Sequence, residues 1–415
     1  MFRWSMIMGI AGTLCLHAGA LQAQSVDAKA AQSDPVEILE IGFSDAGLSG
    51  SGGERLKAAL EDAQFIAVGE DHGFAGSPRL AQALAEEARA YGPLYHAVEV
   101  GPVTMQWVRA RLASGGLDAM HTGLAGKAFA FPFLSNREDA ELADDFDHGE
   151  RVWGIDQEFV GAPTILMDEL ARFAPDAATQ SRLVAIRDAD SAALNSGDFA
   201  HVFLNTADPG QFEELEQIFA GSAPASAIVD ALAASARVYQ LNNQGAYLQN
   251  NEERSALMRS YFLAQYRAAA ESAPRVLFKM GAYHMGRGTT PTSIYDLGSL
   301  LPGLAAANGL TSVHIAYLPM GGTVRVIKPA DGKATAVQPY EDEGVGAMLA
   351  AADIAPERIG PTGHYLIPIA PLRHALAGKK MNALPGFAKF ILLGYDYLVT
   401  TRDAMPAAAF EAVEE

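Results

Sequence analysis

The stretch Phe65-Ile66-Ala67-Val68-Gly69-Glu70-Asp71-His72-Gly73 decides the reading of this chain. A short apolar run stops at two glycines that enclose a glutamate, an aspartate and a histidine. An apolar run bounded by turn residues reads as a buried strand. From about Ser77 to Tyr91, Leu80, Leu84 and Ala88 recur at helical spacing, with Glu86, Glu87 and Arg89 facing outward. Tyr95 to Val100 is a second strand with Glu99 near its end. A helix from about Val103 to Ala113, a loop through Phe131-Pro132-Phe133 and a helix near Arg137 to Asp147 lead to a third strand, Val152 to Asp156. Strands separated by helices pair in parallel. The pattern therefore predicts an α/β fold with a mostly parallel central sheet flanked by helices.

Further along, the character changes. From about Thr164 to Ser272 the pattern is helical, rich in Ala, Leu and Glu, and broken at Pro175, Pro209 and Pro224. It reads as a helical insert or lobe at about 164–272. Sheet structure resumes at Arg275 to Phe278, with β-like runs at Ser312 to Leu318, Thr323 to Ile327, Tyr365 to Ile369 and Tyr397 to Thr400. Few long helices separate these late runs, so some are expected to be antiparallel at an edge. The glycine-rich patches Ser49 to Gly53 and Met320 to Gly322 read as loops. One domain is expected over 37–405, followed by a C-terminal tail, 406–415.

The N-terminal residues read as a secretory signal over 1–23: Arg3, then the apolar Ile7 to Ala20, then small-residue chemistry at Leu21-Gln22-Ala23. The apolar run is shorter than the ~20 residues a spanning helix needs. Polar, Ala-rich residues 24–36 read as a flexible leader. The expectation is an exported protein, periplasmic or secreted, with no membrane span after signal removal. The one cysteine, Cys15, lies inside the signal and follows the bulky Leu14, so it reads as part of the apolar core rather than a lipid attachment site. Chemistry in the mature chain then rests on other groups than thiolates. The formal charge of −19 repels phosphate backbones, and no basic stripe with interleaved aromatics occurs, so no nucleic acid is expected as a partner. A small-molecule substrate is.

Ligands of open parallel sheets bind beyond the carboxyl ends of the strands. Polar residues fall there four times: Glu70 and His72, Glu99, Asp156 with Gln157, and His284 after the turn Met280 to Tyr283. Glu70 and His72 are two apart and point the same way in extended backbone. A carboxylate beside an imidazole fixes its tautomer and raises its basicity, so the pair suits activation of a water or a hydroxyl. Glu99 adds a second carboxylate, and His284 suits a partner acid or electrophile. Asp71 alone reads as a helix cap. His96, His121, His148, His201, His314, His364 and His374 read as structural.

These residues resemble the erythromycin esterase-like family. Phe65 to Gly73, Tyr95 to Gly101 and Gly154-Ile155-Asp156 are similar to its Gly-Glu…His-Gly motif, its next strand ending in glutamate and its Gly-aromatic-Asp strand. Glu253 to Met258 resembles its arginine-bearing helix. Arg275 to His284 resembles the strand leading to its Asn-x-His turn, and Asp296 to Leu301, His314 to Tyr317 and Gly394 to Val399 resemble later segments in the same order. The resemblance implies one cleft holding Glu70, His72, Glu99, Arg254 and His284, and hydrolysis of an ester. His72 would be the base, Glu70 and Glu99 would orient it or bind water, and His284 would stabilise charge or protonate the leaving group. Arg254, Arg79 and Asp156 would bind substrate. Departures are present: only Asp71 separates Glu70 from His72, Met280-Gly281 occupies the place of a further histidine, and Ser255 stands where the family has an aspartate. The shorter Glu-x-His spacing resembles the related iron-regulated haem-binding lipoproteins. The readings left open are a hydrolase needing no cofactor, a metal-assisted one with Glu70, His72, Glu99 and His284 as candidate ligands, a binder of haem or another small ligand near Tyr283-His284-Met285 or Tyr95-His96, and a silent scaffold.

Overall fold

A computed structural model of the chain describes residues 36–127, 129–330 and 333–409. The expected signal, residues 24–35 of the expected leader, and residues 410–415 lie outside the described residues. The strands are β1 (Leu39–Ser44), β2 (Gly47–Ser49), β3 (Ala63–Glu70), β4 (Leu94–Val98), β5 (Val152–Gly154), β6 (Arg275–Gly281), β7 (Thr311–Tyr317), β8 (Thr323–Ala330), β9 (Lys333–Pro339), β10 (His364–Pro368) and β11 (Tyr397–Thr400). Nine form one sheet in the order β2-β1-β10-β11-β7-β3-β6-β4-β5, while β8 and β9 form a separate hairpin. The block from β11 to β5 is parallel throughout. The expected antiparallel edge is present: β10 runs against β11, and β1 against β10.

Strand β3 shows why the centre sits where it does. All eight of its residues are buried. Alternate side chains serve opposite faces: Ile66 and Val68 join one apolar cluster, Phe65 and Ala67 the other. A strand covered on both faces needs a continuous apolar run, which is what its sequence supplies. The sheet is thus the middle layer between two apolar layers, and helices cover both.

Several expectations shift. Ser49 to Gly53 is not a loop: helix Gly50–Leu60 begins there. Gly52 and Gly53 let it lie against the first hairpin, because a Cβ at Gly52 would stand 2.9 Å from the Ile41 Cβ. Packing overrides the low helix propensity of glycine. The helix expected to end near Ala113 continues as Pro102–Leu124, with a break at Gly115 and Gly116. Residues 406–409, the described part of the expected tail 406–415, are hydrogen-bonded to the fold. Ala407 N–H donates to Gly73 O at 2.8 Å, Arg325 Nε donates to Ala407 O at 2.6 Å, and Ala408 N–H donates to Glu138 Oε2 at 3.0 Å. The expected insert consists of helices, from Pro163–Ala171 to Tyr247–Ala268. No helix among the described residues is long and apolar enough to cross a membrane.

Candidate active site

Register brings the strand ends together. Glu70 of β3 lies opposite Gly281 of β6, and Val98 of β4 lies opposite both Lys279 of β6 and Gly154 of β5. The segments that leave these strands therefore converge on one cavity of about 500 Å³. Glu70, His72, Glu99, Asp156, Arg254 and His284 all line it. Aromatic rings also line it: Phe131, Phe133, Phe159, Tyr239, Tyr283 and Phe387.

The turn after β3 is tight. Gly73 has φ +94°, and a Cβ there would stand 1.9 Å from the Arg325 carbonyl of β8, so only glycine fits. His72 leaves this turn with Nδ1 2.7 Å from Glu70 Oε1 and its ring stacked on Phe133 at 3.9 Å between centroids. The carboxylate places the proton on Nδ1 and leaves Nε2 to the cavity. Opposite, β6 runs three residues beyond the expected end. A single helical turn, Ala282–Met285, then carries His284. Its Nδ1 lies 2.8 Å from Asp296 Oδ2.

Glu99 sits between the two imidazoles. Its Oε2 is 3.4 Å from His72 Nε2, and its Oε1 is 3.3 Å from His284 Nε2. It also accepts from Gly281 N–H at 2.8 Å and from Arg254 Nη2 at 2.8 Å. Arg254, on helix Tyr247–Ala268, grips Asp156 through Nε (2.9 Å) and Nη2 (2.6 Å). Beneath them, Glu158 accepts from the Val103 N–H at 2.8 Å and the Thr104 N–H at 3.2 Å, at the start of helix Pro102–Leu124. That cap fixes the segment from Glu99 to Gly101. Burial pushes the Glu158 carboxyl up to about 7.

The electrostatics follow from the pairing. Burial alone lowers an imidazole, but Glu99 and Glu70 outweigh it and push His72 up to about 9. Glu99 and Asp296 push His284 up to about 10 against the same burial. Burial acts to raise Glu99, yet the two imidazolium charges hold it well below the ordinary carboxylate range. Glu70 is likewise carried down to about 2, against burial, by Lys279 and His72.

Not every expected residue is in the cavity. Arg79 is exposed and lies 3.6 Å from Glu138 Oε1, outside the lining. Asp71 caps no helix, since the next one begins at Gly76; it lines the cavity instead. Of the places considered for an axial haem ligand, His96 is buried with Nδ1 on Leu277 O, Met285 is fully buried, and His284 is held by Asp296 and Glu99. No three or more His, Cys, Asp or Glu among the described residues are arranged to hold a metal ion. Reading the sequence missed Lys279, Asp139 and Asp296. Lys279 Nζ donates to Glu70 Oε1 at 2.6 Å and stands 2.6 Å from Asp139 Oδ1. A lysine inside the apolar run Val276-Leu277-Phe278-Lys279-Met280 was the available signal, because a buried charge needs partners.

No family model matches the sequence, and no curated protein matches it. Among solved structures, the chain is similar to a mutant of the erythromycin esterase EreC in its open conformation. The TM-score is 0.58 at 14% identity, covering 86% of this chain and 95% of that one. It is also similar to a succinoglycan biosynthesis protein, with TM-score 0.50 at 11% identity over 86% and 92% of the two chains. At such identities the likeness is one of architecture: this chain has an erythromycin esterase-like fold.

Proposed function

We propose that the protein is an exported hydrolase that cleaves an ester or lactone with a water activated by His72. One observation carries this reading. Two imidazoles, each fixed at Nδ1 by its own carboxylate, turn Nε2 toward the same cavity from either side of Glu99. The Nε2 contacts to Glu99 are longer than the Nδ1 contacts, so they are the ones a water or substrate oxygen displaces. Neutral His72 takes a proton from water as the oxygen adds to the carbonyl carbon. Imidazolium His284 and the Arg254 guanidinium face the developing oxyanion. His284 then protonates the departing alkoxide as the C–O bond breaks, giving a carboxylic acid and an alcohol. The division of labour follows the surroundings: each imidazole meets two carboxylates, but His284 is the more enclosed and His72 the more open to the cavity. Asp71 and Glu343 also line the cavity and add acidic groups to it, so neutral or cationic esters suit it better than anionic ones.

The test is a panel of esters and lactones offered to the mature protein across pH. Turnover is expected, with kcat/KM rising tenfold per pH unit from pH 6 and levelling near the His72 value of about 9, because the base works only when neutral. His72→Gln should lower kcat/KM by about 10²–10⁴-fold and abolish that limb. Absence of turnover across the panel, or a fully active His72→Gln enzyme, would overturn the reading.

A further inference from the structure

We propose that Lys279 and Asp139 are positioning residues that act through Glu70 to tune how readily His72 gives up its proton. The proposal builds on His72 as the proton-carrying group of the function above, and its test reads that proton directly.

The geometry is a chain of four side chains: Asp139, Lys279, Glu70, His72. Lys279 belongs to a central strand and is 93% enclosed, with a relative exposure of 7%. Its Nζ stands 2.6 Å from Asp139 Oδ1 on one side and 2.6 Å from Glu70 Oε1 on the other. Glu70 Oε1 is the same oxygen that accepts from His72 Nδ1 at 2.7 Å. Lysine and imidazolium therefore compete for one oxygen. Asp139, on helix Arg137–Asp144, is held in turn by Asn136 Nδ2 at 3.1 Å.

Stability does not account for the lysine. A buried ion pair is commonly matched or bettered by an apolar side chain of similar volume. A methionine here would continue the apolar run of β6. What the lysine adds is charge at Glu70, and what Asp139 adds is a rival claim on that charge. Without Asp139, all of the lysine's charge falls on Glu70, and the carboxylate holds the His72 proton less firmly. Without Lys279, Asp139 takes up a proton, since burial and Glu70 already push its carboxyl upward. Glu70 then turns its whole charge on His72.

The other charged and titratable groups facing this chain leave the signs unchanged. His72 also meets Glu99 of the segment after β4 and the neighbouring Asp71. Glu70 has Tyr317 of β7 beside it, a phenol that burial pushes far up and keeps neutral. Lys279 also acts on His96 of β4, which burial keeps neutral.

The experiment is an NMR titration of the His72 imidazole in the full chain with labelled histidine, the resonance being assigned by its loss in His72→Gln. Lys279→Met should raise the midpoint by about one pH unit, and Asp139→Asn should lower it by about half a unit to one unit. The double variant Lys279→Met/Asp139→Asn leaves no surplus buried acid and should keep the upward shift; it serves if Lys279→Met alone does not fold. A purely structural pair would weaken the fold in every variant without moving the midpoint in opposite directions. Shifts of the same sign in Lys279→Met and Asp139→Asn, or no shift in either, overturn the proposal. Neither result depends on ester turnover, so an inactive protein would sink the hydrolase reading and leave this one standing. In an active enzyme the acid limb of kcat/KM should follow the NMR midpoints.

Discussion

The middle of the sheet and its carboxyl end treat the same side chain in opposite ways. His96 in the middle of β4 and His314 in the middle of β7 are each almost wholly buried. Their Nδ1 atoms rest on carbonyl oxygens, Leu277 O at 3.2 Å and Met285 O at 2.6 Å. Burial pushes both down to about 3, so they stay neutral at physiological pH. A few residues away along the same strands and their neighbours, His72 and His284 are pushed the other way, to about 9 and about 10. Burial acts downward in all four. The difference lies in what each ring meets: a carbonyl dipole in the middle of the sheet, a full carboxylate charge at its end. The cavity pair are also partly exposed while the core pair are fully buried, but exposure does not set the direction of the shift. The partner does.

The sharpest way to break that contrast is Glu99→Gln. Glu99 faces both cavity imidazoles and takes hydrogen bonds from Arg254 and Gly281. An amide keeps the shape and removes the charge. Both imidazoles should then drift toward the behaviour of the core pair, and Arg254 keeps only Asp156. We expect a loss of about 10³-fold in kcat/KM and about 3 kcal/mol in stability, near the lower end for breaking a buried pair. Steady-state kinetics and urea unfolding check the two together. A variant with near-normal activity would mean that carboxylate partners are not what distinguishes the cavity histidines.

A smaller effect separates the two sets by pH. The cavity pair have raised values, so their stabilisation is complete below about 6.5 and is lost as pH rises through about 9 and about 10. The core pair have depressed values, so their stabilisation is complete above about 6.5 and is lost as pH falls toward about 3. Glu158, raised by burial to about 7, pulls the other way over part of the acid range. The difference between wild-type and variant profiles removes that contribution. His314→Gln should flatten the fall in stability between pH 6 and pH 4 by up to about 1.4 kcal/mol per pH unit, one proton's worth. It should leave the alkaline side alone. His72→Gln should do the reverse. Urea midpoints measured from pH 4 to pH 10 decide it; identical slope changes in the two variants would erase the distinction.

The cavity was legible in the sequence where chemistry coincided with punctuation. Glu70, His72, Glu99, Asp156 and His284 stand where apolar runs stop, and a polar group at the end of a buried strand has no packing reason to be there. Lys279 and Asp139 were not legible because they lack that signature. One interrupts a strand from within, and the other sits in an ordinary amphipathic helix. Their meaning depends on β6 lying beside β3, which only the folded sheet supplies. Asp296 was read only within a later segment of the resemblance; it caps a helix, accepting from Leu297 N–H at 2.7 Å. Its bond to His284 comes from the turn between them. The glycines at 50–53 misled for the opposite reason. Local propensity reads as loop, while close packing against Ile41 and Leu48 requires glycine in a helix.

Two arginines carry the same comparison to its smallest expected effect. Arg254 and Arg79 were both expected to bind substrate, Arg254 from the resemblance to an arginine-bearing helix and Arg79 as a second cation for the same work. Arg254 is enclosed, with three bonds to two buried carboxylates. Arg79 has a side chain 60% exposed and one 3.6 Å approach to Glu138. Exposed ion pairs contribute about 0–1 kcal/mol. Arg79→Ala should therefore change stability by less than about 0.5 kcal/mol and leave kcat/KM within about twofold, as urea unfolding and steady-state assays on one preparation can check. The informative failure is a large rise in KM with kcat unchanged. That result would place part of the substrate over the start of helix Gly76–Ala88, outside the aromatic walls. The boundary between reactive and structural regions would then move outward to a charge that the folded chain leaves in solvent.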